Sequence, residues 1–286
     1  MLELITKPSQ HQKRPYKMLL VGLLYGSLSL LMVNWFFASD AALSDASGMI
    51  VIAFCIMFSM PYMYYLVKFE EEEDESVEGL LSVWRAHSDA LFAFMWLFLG
   101  FVISFSFWFI VLQNPNLLNF QVKTFCAINN PGSIDDCVSQ YSIGGSVTGT
   151  GGMTKMGRFF TILENNVYVM IFTLIFSLIF GAGAIFILAW NASVIAAAIG
   201  IFTRYDLKEV PIGVARYMIH GFPEIAAYFI TALAGGMFGV GVIRNGVNNK
   251  RFVHVVENVI FLLFIAMLIL IVAAGIEVYI TPLFFT

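Results

Sequence analysis

The residues in this chain best suited to chemistry lie between positions 164 and 228. They are Glu164, Asn165, Asn166, Asn191, His220, Glu224 and Tyr228. Each sits inside or at the lip of strongly apolar sequence, where a polar or ionisable group needs a partner or a purpose. His220 and Glu224 are four residues apart, so on a helix they share a face, and Tyr228 continues it. That spacing suits a hydrogen-bonded pair, a polar lining for a cavity, or two ligands of a metal. One His and one Glu supply only two ligands. The further donors available, Glu164, His254 and Glu257, are scattered along the chain, and no H-E-x-x-H is present. The site is therefore expected to hold no metal and no cofactor, and to form an intramembrane binding cluster with no catalytic residue assigned.

The elements that must position these groups are membrane helices. The 286 residues are 59% hydrophobic and only 12% charged; a soluble domain carries about twice that charged fraction. Mean hydropathy is +0.84. Several apolar runs reach the roughly 20 residues that cross a bilayer as a helix. The fold class is an all-α, polytopic transmembrane bundle of about six spans. The net charge of −4 is small and comes mostly from one local acidic run, so no nucleic-acid partner is expected. Membrane lipid is the partner that the composition guarantees.

Residues 1–112 read as an N-terminal segment of three spans. Lys7, Lys13, Arg14 and Lys17 place the N-terminus in the cytoplasm. An acidic cytoplasmic linker, 69–79, separates spans two and three and reads as a solvated stretch. Residues 113–157 form a hydrophilic, extracytoplasmic loop without enough apolar residues for a core of its own. It holds Cys126 and Cys137, which could pair as a disulfide on an oxidising side or stand as free thiols.

Residues 158–286 form the remaining membrane core. The apolar run 167–202 is too long for one span and can be divided in two ways. A break at Asn191 makes 191–202 a re-entrant half-helix. A turn at Gly181-Ala182-Gly183 makes 184–202 an extra span. Both arrangements put the same number of Lys and Arg residues inside, so charge does not choose. The break at Asn191 is the expectation, because a turn of small residues within the bilayer leaves backbone groups without partners. Pro223 is expected in the first turn of a helix beginning near Phe222, where its missing N–H does no harm. His220 then belongs to the preceding loop. Ala227, Thr231, Gly235 and Gly239 recur every four residues and make a small face for close helix packing, within the protomer or as a homo-oligomer seam. His254, Glu257 and Glu277 read as interfacial polar residues.

Three stretches resemble the stage II sporulation protein M family of integral membrane proteins: Glu164-Asn165-Asn166, the small-residue run from Trp190 to Gly200, and His220-Gly221-Phe222-Pro223-Glu224 with the glycine-rich helix after it. The resemblance covers about 159–245. At the break, where that family commonly has Asn-Gly, this chain has Asn191-Ala192. The resemblance implies a multi-pass protein of the cell membrane that anchors cell-wall hydrolases during spore engulfment, and so protein partners in the envelope. A non-enzymatic scaffold or anchor is the leading reading. A transporter using a broken-helix site and an intramembrane metallohydrolase are the alternatives.

Overall fold

The computed structural model describes residues 15–37, 39–40, 42–74, 80–114, 116–129, 134–141, 154–180, 183–245 and 250–284. The described residues are mostly helical, with no strand among them. Seven helical stretches are long and apolar enough to cross a membrane. In chain order the helices are α1 (Lys17–Phe36), α2 (Ser47–Asp74), α3 (Leu80–Leu112), α4 (Asn119–Asn129), α5 (Ile134–Tyr141), α6 (Lys155–Phe180), α7 (Gly183–Phe202), α8 (Val210–Asn245) and α9 (Lys250–Gly275). A π turn, Ile276–Ile280, joins α9 to the short α10 (Thr281–Phe284). All but α4, α5 and α10 contribute a span.

The expected six spans become seven because α7 is one helix. It runs unbroken through Asn191, so the expected half-helix at 191–202 is not formed. Asn191 causes no break because its Nδ2 donates to Ile187 O at 2.8 Å, one turn back along the same helix. The division falls instead at 181–182, between α6 of 26 residues and α7 of 20. At 1.5 Å per residue these helices are about 39 and 30 Å long, each enough to cross a hydrocarbon core. Neither helix needs the other to complete a span. This removes the objection that favoured a break at Asn191.

Pro223 also departs from expectation. Helix α8 starts at Val210, with Pro211 in its first turn, so Pro223 and His220 both lie in the helix interior. One missing donor is tolerated where neighbouring helices pack around the site.

Helix α1 packs most extensively on α3, and α8 on α9 and α6. The α1–α3 crossing is closed by glycines. A Cβ on Gly22 would strike Leu97 O and the Gly100 backbone, and one on Gly100 would meet the Gly22 Cα at 2.9 Å. Phe98, Phe101 and Phe105 of α3, none of them exposed to solvent, fill the centre of one continuous core.

The segment 113–157 is more structured than its composition suggests. Helices α4 and α5 are joined by a Cys126–Cys137 disulfide with the Cα atoms 5.7 Å apart. Leu117, Leu118, Gln121 and Val122 are buried, and α4 packs on α7. Its missing apolar partners come from the ends of the spans. In the acidic linker 69–79, the helix α2 continues to Asp74, while 75–79 and the acidic side chains lie outside the described residues.

Helix α7 leaves its span through two residues of positive φ, Arg204 (52°) and Tyr205 (61°). The Tyr205 N–H donates to Gly200 O at 3.0 Å, and Asp206 then accepts from Lys208 N at 3.0 Å to start the next turn. The Tyr205 ring lies edge-on to Phe109 of α3. This tight reversal aims α8 back along α7 and so sets the depth of His220 and Glu224.

Candidate functional site

Helices α6 and α8 run parallel and meet at two levels. At the first level Asn166 Nδ2 donates to Glu224 Oε1 at 2.8 Å. The Tyr228 hydroxyl donates to Asn166 Oδ1 at 3.1 Å. Asn165 Nδ2 lies 3.5 Å from the same oxygen. One amide thus ties together two side chains that are four residues apart on α8. Asn166 and Tyr228 are buried, 5% and 3% exposed.

At the second level the small face of α8 meets α6. A Cβ on Gly235 would lie 2.9 Å from Leu174 O, and one on Gly239 would lie 3.2 Å from Leu178 O. Ala227 and Thr231 on the same face are fully buried, with Thr231 Oγ1 donating to Ala227 O at 2.8 Å. The glycines of the four-residue repeat therefore pack against α6 of the same chain.

His220 lies one turn before Glu224 but turns to a different partner. Its Nε2 is 4.0 Å from Glu277 Oε2, in the π turn at the end of α9. Its Nδ1 is 3.5 Å from Thr281 Oγ1. Thr281 Oγ1 also donates to Ile276 O at 3.2 Å. A hydroxyl has one hydrogen, so with that donation made, Thr281 accepts from His220 Nδ1–H. Neutral His220 then keeps its free lone pair on Nε2, facing Glu277. The ring of Tyr217 lies edge-on to the imidazole at 6.0 Å.

The expected cluster is only partly assembled. Asn165, Asn166, Glu224 and Tyr228 come together, and His220 stands beside them. Asn191 is engaged within α7. Glu164 faces outward from α6, where it accepts from the Tyr168 hydroxyl at 3.3 Å. Residues 164 and 166 are about 200° apart around a helix, so one neighbour cannot take both. Glu277, expected at an interface, instead turns inward to His220, with its side chain 20% exposed. It and Thr281 are the partners the sequence did not disclose. The available signal was their four-residue spacing within an otherwise apolar stretch. His254 and Glu257, 3.2 Å apart, are exposed at the start of α9. Among the described residues, no three His, Cys, Asp or Glu side chains gather as a metal site requires. The gap beside Tyr228, lined by Thr173, Ile187, Leu188, Ile225 and Phe229, has room for about one water.

Searches of curated proteins and of solved structures return no match. A family model does match: Stage II sporulation protein M, over residues 95–282. The match starts in α3 and runs into α10, well beyond the 159–245 that carries the motifs, and it includes Glu277 and Thr281. With about two thirds of its length matched, this multi-pass membrane protein belongs to the stage II sporulation protein M family.

Proposed function

We propose that the chain is a non-enzymatic membrane scaffold that anchors protein partners of the cell envelope. The observation that supports this best is how the buried polar groups are used. Asn166, Glu224 and Tyr228 tie helix to helix, as do His220, Glu277 and Thr281. The break at Asn191 that would make a transporter-like site is not formed, since α7 is continuous. The resemblance to a family of anchors for cell-wall hydrolases points the same way.

The proposed topology has the N-terminus in the cytoplasm and the disulfide-linked α4 and α5 outside. Seven spans then put the loop at 203–209 and the end of α10 on the outer side too. Lys17, Arg244, Lys250 and Arg251 flank the inner ends. An outer position also suits a disulfide, which persists in oxidising surroundings. The outer face offers Phe120, Ile134, Asp135 and Asp136 for contact, all exposed.

The test places photo-crosslinking residues at Phe120 and Ile134 in native membranes, with lipid-facing Phe172 as the control. Specific adducts to envelope proteins at the outer positions, retained in Glu224→Gln, are expected. Solute or ion flux in liposomes that Glu224→Gln abolishes would overturn the scaffold in favour of transport.

A further inference from the structure

Glu224 is a carboxyl group deep in a membrane helix, yet its hydrogen-bond partner is a neutral amide. Asn166 Nδ2 holds Oε1. No Lys or Arg forms an ion pair with it among the described residues. Counting from Val210, it lies about 21 Å along α8. Asn166 is about 17 Å from the start of α6, so both are within the hydrocarbon rather than at its surface. A carboxylate without a cation at that depth takes up a proton in preference to paying for its charge. Asn166 holds Oε1, so Oε2 is the oxygen that can carry it.

The nearby groups supply a route for that proton. His220, one turn away on the same helix face, keeps an Nε2 lone pair directed at Glu277 Oε2. The separation of 4.0 Å is too long for a hydrogen bond but suits an ion pair or one bridging water. Glu277 sits in the π turn, a widened geometry that recurs at functional sites. It lies about 10 Å from the end of α10. The charges facing His220 are Glu277, Arg216 of α8 and Arg158 of α6. Glu277 is the charge that faces Glu224, and both carboxyl groups face Tyr228. Helix α7, packed alongside, has no titratable side chain.

We propose that Glu224 is an intramembrane proton-binding site, loaded and unloaded through His220 and Glu277 from the end of the bundle that carries the disulfide. A proton entering at Glu277 passes to His220 Nε2. The resulting imidazolium is paired with the Glu277 carboxylate; its ring then rotates toward Glu224, one turn along the same helix face, and hands the proton to Oε2, which restores neutral His220. Charge and proton count balance without a further reactant. When loaded, the site has a neutral Glu224 bound to Asn166. When unloaded, it leaves a carboxylate facing Glu277, which weakens the tie between α6 and α8. The proposal does not depend on the scaffold reading, because its readout is a carboxyl proton and not a partner.

Infrared difference spectroscopy of the full chain in lipid nanodiscs tests it. A protonated-carboxyl stretch that bleaches as pH rises is expected in the native protein. It should vanish in Glu224→Gln and shift in Asn166→Ala. In His220→Ala and Glu277→Gln it should persist but exchange with deuterium on the order of tenfold more slowly or less readily still. Circular dichroism and monodispersity establish that each variant is folded. A band that survives in Glu224→Gln, disappears in Glu277→Gln, or bleaches on addition of sodium at fixed pH overturns the assignment. Unchanged exchange in both relay variants overturns the route.

Discussion

Helices α1 to α3 and helices α6, α8 and α9 solve the same problem with different materials. Lipid is as apolar as the helix faces, so burial of apolar surface does little to hold spans together. The N-terminal group closes by backbone approach at Gly22 and Gly100, and Gly26 makes room for the Ser104 side chain. Two of its buried hydroxyls bond within their own helices, Ser29 to Tyr25 O at 2.7 Å and Ser106 to Val102 O at 2.6 Å. The C-terminal group uses glycines at 235 and 239, then adds side-chain bonds that cross between helices. Contact through glycines alone needs no ionisable residue. Where Glu224, His220 and Glu277 occur, close packing is not a sufficient reason for them. The family match, which begins at residue 95, covers this second group and leaves α1 and α2 outside.

The sharpest way to break the comparison is to fill a glycine. Gly100→Leu would drive a side chain into the backbone of α1, at Leu19 O and the Gly22 Cα. Neither atom can move without moving the helix. The expected cost is at least about 3 kcal/mol, the upper part of the range for overpacking. The measurement is the fraction of monodisperse protein and its thermal midpoint in detergent. A variant as stable as the parent would mean that α1 does not dock on α3 in this way.

Cutting the polar tie should cost less. Asn166→Ala removes the donor to Glu224 and the acceptor from Tyr228 at once. Leaving buried polar groups unpaired costs about 1–3 kcal/mol. A double-mutant cycle with Tyr228→Phe should give a coupling of about 0.6 kcal/mol, the usual size for a hydrogen bond between membrane helices. Zero coupling would remove Tyr228 from the network. A loss as large as that of Gly100→Leu would erase the distinction between a frame that packs and one that bonds.

The spans themselves were legible because twenty apolar residues in a row have few other uses. The number of spans was not. The run 167–202 divides equally well by charge, and the decision turned on whether Asn191 breaks a helix. An asparagine amide that bonds back to Ile187 O leaves the helix intact, and sequence does not reveal that choice. Pro223 misled for a related reason. In water a mid-helix proline usually marks an end, whereas packed membrane helices tolerate it. At the site, four-residue spacing put His220, Glu224 and Tyr228 on one helix face, and Glu224 and Tyr228 meet there on Asn166. It could not show that His220 turns away to Glu277, because that contact joins positions 57 apart through the packing of α9 on α8. The glycines at 22, 26 and 100 went unremarked, since two of them reveal their role only beside the third.

The smallest effect is expected where a charge shapes the N-terminal group from outside the membrane. In the link between α1 and α2, Asp40 Oδ1 accepts from Ala42 N at 2.8 Å and Leu43 N at 2.9 Å. These two backbone donors hold its carboxyl below the usual carboxylate range. A group lowered in the folded state favours folding when ionised. Its contribution is therefore present above the ordinary Asp range and is lost as pH falls through the lower folded value. Asp40→Asn should melt slightly below the parent at neutral pH, and the two curves should converge in acid. The gap should be far smaller than that of either variant above, because Asp40 is exposed and water competes for both donors. A gap that stays constant across the pH range would mean that the amide fails for reasons of shape and not of charge. In that event the link, like the helices it joins, would owe nothing to ionisation, and the contrast with Glu224 would be complete.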